Sequence, residues 1–200
     1  TSDRSLDDPL QTLAENEGIH CFRGSESNVL KRFVDAAHAH QLDSIVRVCA
    51  DNPFLSMRSM KTLLENADEN NDYVSFAFPD GTPVMKSHIG MFAEWVRVSL
   101  LESILGQTHE SYYCEHVTTW VYDHPVQSKV KFLPLPEPLI SANRIRLTVD
   151  TAFDFEYLSE LYAVLMDAGW TGEESGLMEM IAGNPGLMNR MEQEIDRNAK

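Results

Sequence analysis

Two aspartates close apolar, strand-like runs far apart in the chain. Asp51 follows Ser44-Ile45-Val46-Arg47-Val48-Cys49-Ala50, and Asp150 follows Ile145-Arg146-Leu147-Thr148-Val149. Two such runs, each delivering a carboxylate to a strand end, are the arrangement by which an α/β sheet holds a divalent cation against an anionic ligand. Each residue also has a plainer reading. Asp51-Asn52-Pro53 is a common turn sequence, in which the Asp bonds its own backbone two residues on, and Asp150-Thr151 can cap a helix beginning near Ala152. As a pair they are the candidate catalytic and metal-holding residues.

Other polar residues could complete such a site. Arg47 and Arg146 each interrupt an apolar run, so each must find an acidic partner or a ligand phosphate. A salt bridge is expected for one, and the other is left open. Lys86 and His88 are two apart on an expected strand and would share a face able to bind an anion, although a solvated face is the plainer alternative. Glu115 and His116 could orient a substrate or ligate metal, or could be an exposed helical pair. His38 and His40, two apart on a helix, point to different faces and do not chelate. Neither a G-x-G-x-x-G nor a G-x-x-x-x-G-K-[ST] segment is present, and nothing resembles a serine nucleophile elbow.

Charge narrows the ligand classes. A net charge of −15 over 200 residues, with a pI near 4.7, repels a phosphate backbone and excludes nucleic acid as an expected partner. A nucleotide or acidic sugar then requires a metal ion and a few arginines to reverse the potential inside one cleft. No run reaches membrane-spanning length, and the N-terminus reads without the basic and apolar parts of a signal peptide, so a soluble cytoplasmic protein is expected. Cys21, Cys49 and Cys114 are odd in number and widely spaced, which predicts reduced, mostly buried thiols.

The elements that must position these residues alternate. The pattern predicts a helix from Asp7 or Asp8 to Gly18, a strand over Ile19 to Phe22, a helix after Ser25 and Ser27 reaching about Gln41, and a strand over Asp43 to Cys49. A helix opened by Ser56 follows, then a hairpin of Tyr73 to Phe78 with Thr82 to His88 around Pro79-Asp80-Gly81. Helices are expected over Gly90 to Leu105 and Glu110 to Tyr122, strands over Lys129 to Leu133 and Arg144 to Val149, and a helix over Phe153 to Ala168. Residues 1–168 then form one α/β domain, and 169–200 a linker and helical tail around Asn184-Pro185-Gly186.

Five ordered blocks carry a resemblance. They are Thr1-Ser2-Asp3-Arg4 with Asp7-Asp8-Pro9-Leu10, Phe22-Arg23-Gly24-Ser25 with Val29-Leu30-Lys31-Arg32-Phe33, Arg47-Val48 with Asp51-Asn52-Pro53, Glu115-His116-Val117-Thr118, and Arg146-Leu147-Thr148-Val149-Asp150-Thr151 with Asp154-Phe155. In this order they resemble the cytidylyltransferase family, which includes spore-coat polysaccharide biosynthesis proteins and acylneuraminate cytidylyltransferases. The segment from Asn184-Pro185 to Arg197-Asn198 is similar to the family's C-terminal tail. The resemblance implies a GT-A-like nucleotide-diphospho-sugar transferase fold with a mixed sheet, and transfer of CMP from CTP to a sugar acid or related sugar for surface polysaccharide biosynthesis. It also implies that Asp51 and Asp150 hold Mg²⁺, that Arg23, Gly24 and Ser25 lie near the nucleotide, and that Lys86, His88, Glu115 and His116 line the sugar pocket.

Two departures accompany it. The family more often places an acidic residue at the position of Met85, which leaves the acceptor sugar undetermined. Family members also begin with a strand and a loop of the type G-S-T-R-L-P-G-K, followed by a helix and another strand, and this chain starts after them. As it stands it is therefore expected to lack the usual first strands and the triphosphate loop. The exposed sheet edge would favour a homo-oligomer. The alternative is a non-catalytic binding or assembly protein built on the same fold.

Overall fold

The computed structural model describes Thr1–Arg197. Helix α1 (Asp8–Asn16) carries Pro9 in its first turn and ends before Gly18, whose φ of 68° suits a residue without Cβ. Helix α2 (Val29–Ala39) is capped by the Asn28 side chain, which accepts from the Lys31 N–H, and it buries Leu30, Val34 and Ala37. Strand β1 (Ser44–Arg47) follows, then α3 (Met57–Asn66), whose first turn is closed by Ser59 N–H donating to the Ser56 hydroxyl. Strand β2 (Tyr73–Ala77) is buried throughout. Strand β3 (Glu94–Arg97) runs directly into α4 (Val98–Gln107). Short helices α5 (Ser111–Glu115) and α6 (Thr119–Asp123) precede β4 (Val130–Pro134). Helices α7 (Ala152–Asp167), α8 (Glu174–Ala182) and α9 (Pro185–Arg197) complete the described chain.

The strands form a mixed four-stranded sheet in the order β1-β3-β2-β4. Packing divides the chain into two compact units. The first takes Thr1–Ile45, Asn70–Tyr73 and Val96–Val130, around a core of Leu30, Val34, Tyr73, Val96, Leu101, Ile104, Val117 and Val121. The second takes Val46–Glu69, Val74–Trp95 and the residues from Lys131 on, around Leu63, Phe76, Phe92, Leu147, Leu158 and Ile181 among others. Residues 169–197, read from the sequence as a linker and tail, fall within this second unit; 198–200 lie outside the described residues. One reason is Glu174, which is buried and accepts hydrogen bonds from the hydroxyls of Ser56 and Ser59, so α8 is pinned to the start of α3. The cysteines form no disulfide among the described residues, with Cys114 buried and the other two half-buried.

Several expected elements differ from the observed ones, among them the single helix expected over Glu110 to Tyr122, which is the two short helices α5 and α6. Ile19 to Phe22 makes no strand; only Gly24 pairs, in a single parallel bridge with Ser2. The second hairpin arm stops after one bridge, Ala77 with Pro83, because Pro83 has no N–H with which to continue a ladder. The chain instead turns through a 3₁₀ helix over Val84–Lys86, so Lys86 is exposed and His88 buried, and neither lies on a strand. The expected helix from Gly90 is a strand followed by a helix. Gly90 has φ 56°, and a Cβ there would stand 2.8 Å from the Leu147 carbonyl oxygen, so helix cannot begin at this point. Finally, Arg144 ends a 3₁₀ helix (Ala142–Arg144), and Ile145 to Val149 does not belong to the sheet. Leu147 N–H donates to the His88 carbonyl at 2.8 Å and Val149 N–H to the Asp51 carbonyl at 2.9 Å, so the segment is shared between two loops instead of paired with one strand.

Candidate active site

The last of these bonds builds the site. By joining Val149 to Asp51 it brings together, within the second unit, the two segments that end in the candidate aspartates. Their side chains have different surroundings. Asp51 lies in a tight turn closed by Asn52 N–H on the Cys49 carbonyl at 3.2 Å. Its side chain cannot bond the backbone two residues on, because that residue is Pro53. Its Oδ1 is buried and has no hydrogen-bond partner among the described residues. A buried carboxylate oxygen without a partner carries a desolvation cost of about 1–3 kcal/mol or more, and an ion or water is what relieves it. Beside it is a cavity of about 60 Å³, walled by Asp51, Asn52, Ser87, Gly90 and Thr148 among others, which has room for about two waters at their liquid volume.

Asp150 is held rather than orphaned. Its Oδ2 accepts from the Thr148 hydroxyl at 2.9 Å and lies 2.9 Å from Arg146 Nη2, with about a third of the side chain exposed. It does not cap α7. Thr151 does so, in a reciprocal capping box in which Asp154 N–H donates to the Thr151 hydroxyl while Thr151 N–H donates to Asp154.

Asp154 is also the anchor of Arg146. The guanidinium, fully buried, makes a two-pronged contact: Nε to Oδ1 at 2.7 Å and Nη2 to Oδ2 at 2.6 Å. Asp150 N–H donates to the same carboxylate at 3.0 Å. Burial pushes the Asp154 carboxyl up, but the bonds from Arg146, the Asp150 backbone and Thr151 outweigh it and hold the group below the ordinary carboxylate range. The Arg146 carbonyl takes the Tyr157 hydroxyl at 2.8 Å, and burial raises that phenol. Arg146 Nη1 reaches His88 Nδ1 at 2.7 Å. The other interrupting arginine is paired as well: Arg47 Nη1 lies 2.5 Å from Oε2 of Glu94, which is fully buried. Both arginines therefore have acidic partners, one more than expected.

His88 also borders a second cavity, of about 510 Å³, with Lys86, Asp80, Thr82 and Asn143 on its wall. That size is within the range of about 300–1,000 Å³ typical of small-molecule sites. Thus, of the expected substrate residues, His88 is linked by direct contact to the Arg146 network.

The remaining expected residues belong to the first unit. Arg23 is knitted into the N-terminal segment: Nε donates to the Ser2 carbonyl at 2.5 Å, Nη1 to Gln11 at 2.7 Å, and Nη2 to the Arg4 carbonyl at 2.7 Å and Asp8 at 2.9 Å. Gly24 packs closely, since a Cβ would stand 3.1 Å from the Phe22 and Arg32 side chains. The Ser25 hydroxyl accepts from Asn28 N–H at 3.1 Å. Glu115 ends α5 and His116 follows it, both exposed, with the His116 ring edge-on to Tyr112 at 5.0 Å between centroids.

Against known proteins, the family model described as cytidylyltransferase matches residues 1–175. The chain belongs to the cytidylyltransferase family. It is 35% identical over 164 residues to the spore coat polysaccharide biosynthesis protein SpsF of Bacillus subtilis, a match covering 81% of this chain and 65% of that protein. It is 35% identical over 162 residues to the uncharacterized protein MJ1063 of Methanocaldococcus jannaschii, covering 80% of this chain and 63% of the relative. The chain thus spans a little under two thirds of the length of these relatives. A solved cytidylyltransferase from Leptospira borgpetersenii matches with a TM-score of 0.80 and 25% identity, over 94% of this chain and 76% of the other.

Within this member of the cytidylyltransferase family the segments of the two expected aspartates are joined through backbone, but Asp154, which holds Arg146 and the Asp150 N–H, was not among the expected site residues. Its signal was present as Thr151-Ala152-Phe153-Asp154 ahead of an apolar run, the form of a capping box. Glu94 gave no such signal, because an acid at the start of an apolar run reads as a surface residue.

Proposed function

We propose that the chain forms the catalytic part of an enzyme that transfers a cytidylyl group from CTP to a sugar hydroxyl for polysaccharide biosynthesis. In this reaction the hydroxyl oxygen forms a bond to the α-phosphorus, the bond from that phosphorus to the bridging oxygen breaks, pyrophosphate leaves, and the hydroxyl proton is lost to solvent or a base. The observation that carries this reading is the orphaned Asp51 Oδ1 in a family member where the Asp51 carbonyl is bonded by the N–H of Val149, the residue before Asp150. SpsF, by its name, serves spore coat polysaccharide synthesis, which supports the sugar acceptor.

The donor set fits a hard divalent cation, since Asp51 offers an unpartnered carboxylate oxygen and Asp150 a partly exposed one. Asp51 and Asp150 would hold Mg²⁺, which when bound would supply charge neutralisation of the triphosphate and of the departing pyrophosphate. The chain's own groups do the positioning. Arg146 keeps Asp150 aimed, Asp154 keeps Arg146 in place, and Thr148 fixes the Asp150 rotamer. The cavity bordered by Lys86 and His88 accommodates the acceptor sugar. Arg23, Gly24, Ser25, Glu115 and His116 remain candidates for nucleotide and sugar contacts.

Pyrophosphate release from CTP, Mg²⁺ and a panel of sugars tests this reading with the chain extended to the full length of its relatives. Activity that falls by about a hundredfold or more in Asp51→Ala and Asp150→Ala supports it. Undiminished activity in both variants, or nucleotide transfer with no sugar requirement, contradicts it.

A further inference from the structure

The cavity of about 510 Å³ has walls of two chemical kinds. Asp80, Thr82 and Asn143 give it polar groups, and Phe78, Ile140 and Ile195 give it apolar surface. The Asp80 carboxylate is fixed by the Thr82 N–H, which donates to Oδ1 at 2.9 Å, and its remaining lone pairs suit the hydroxyl protons of a sugar. Ser87 lines both this cavity and the smaller one beside Asp51, so the two adjoin. The apolar wall comes from two separate segments. Ile140 follows a short 3₁₀ helix (Glu137–Leu139) and is 42% exposed, and Ile195 lies half-buried on α9. Two contacts flank Ile195 and set its place: Met191 is fully buried, and Asp196 Oδ1 lies 2.9 Å from Arg144 Nη2. Helix α9 lies beyond the residues 1–175 that the family model matches.

Exposed isoleucines are ordinary when scattered, but these two converge on one concave wall. We propose that Ile140 and Ile195 determine acceptor specificity, and that the cavity takes a deoxy sugar, whose methyl group sits against them where a fully hydroxylated sugar carries a hydroxyl. A hydroxyl pressed on these side chains gives up water and finds no partner, whereas a methyl covers apolar surface that is otherwise wet. The other hydroxyls of the ring retain Asp80 and Asn143 as partners on the polar wall. An apolar wall rejects a hydroxyl of nearly the same size only modestly, so a preference of about tenfold to a hundredfold is the scale to expect. The C-terminal helix thereby contributes to substrate choice through Ile195 while the aspartates remain on their own loops. This rests on the nucleotidyl-transfer reading only in naming the ligand as the acceptor sugar of that reaction.

The test uses the full chain labelled with ¹³C at its isoleucine δ-methyl groups and titrated with matched sugar pairs: D-fucose and D-galactose, L-rhamnose and L-mannose, 6-deoxy-D-glucose and D-glucose. In at least one pair the deoxy sugar is expected to shift the Ile140 and Ile195 methyl signals and to bind about tenfold or more tightly than its hydroxylated partner. Ile140→Ser and Ile195→Ser should each lower that ratio by about threefold or more, and Ile195→Val should keep most of it. The two serine variants lie on separate elements, so one remains informative if the other disturbs folding, which the rest of the methyl spectrum reports. The proposal is overturned if no deoxy sugar moves both methyl signals, if the hydroxylated partners bind as tightly, or if a folded serine variant keeps the full ratio. No nucleotide is added, so CTP binding, measured in separate samples, reports on the parent reading by itself.

Discussion

Arg23 and Arg146 make similar numbers of hydrogen bonds and do opposite jobs. Arg23 bonds to Ser2, Arg4, Asp8 and Gln11, all within its own N-terminal segment, and its acidic partner Asp8 is mostly exposed. Arg146 has no exposed surface, and its principal partner Asp154 has none either. The first is a clasp of the N-terminal segment, half-buried but with its acidic partner in water. The second is a buried charge tolerable only because its partner is in place, and the site is built on it: Asp150 on one side, His88 on another. The consequence of removing a partner should therefore differ several-fold between them.

The largest effect is expected at Asp154. Asp154→Ala strands the Arg146 charge and removes the α7 capping box, and it should cost about 3–5 kcal/mol in urea unfolding. A cost near that of a surface pair would show that Arg146 finds other compensation. The same residue gives a pH signature. Its folded carboxyl sits below the ordinary value, so the stability it contributes is fully present above about pH 4, where the unfolded residue titrates, and is lost as pH falls through the lower folded value. Unfolding followed from pH 6 down to pH 2 should show an acid-induced loss that is shallower in Asp154→Asn.

Asp51 should behave in the opposite sense. Since its buried Oδ1 has no partner, Asp51→Asn is expected to leave stability unchanged or raise it by about 1 kcal/mol while abolishing metal-dependent nucleotide binding. Loss of stability on that substitution would mean that the carboxylate is structural. The smallest effect is at Arg23, where Arg23→Ala should cost about 1 kcal/mol or less, as exposed pairs do. A larger cost, or a specific loss of nucleotide affinity, would move Arg23 from clasp to ligand contact.

Much of the layout was legible in the residues. The helices starting at Asp8, Val29, Met57 and Ala152 follow from caps and 3.6-residue spacing, and local signals of that kind survive in any fold. The elements that were misread depend on partners distant in the chain. Arg144 to Val149 has the composition of a strand, but it finds His88 and Asp51 instead of a sheet neighbour. Glu94 to Arg97 has an apolar spacing compatible with helix, and burial inside the sheet decides otherwise. Lys86 and His88 were paired by a period of two that Pro83 interrupts. At the site, Asp51 and Asp150 were visible as carboxylates ending apolar runs. That one is orphaned and the other held was not, because this depends on Arg146, Thr148 and Asp154 converging in space.

The account turns on whether Asp51 is vacant for a cation and nucleotide. Titration calorimetry of CTP into the folded chain with Mg²⁺, repeated with Asp51→Asn at matched stability, tests this most directly. Saturable one-site binding that requires Mg²⁺ and is lost in the variant is the predicted result. Equal binding by both proteins, or no heat from a wild-type chain shown to be folded, would contradict it.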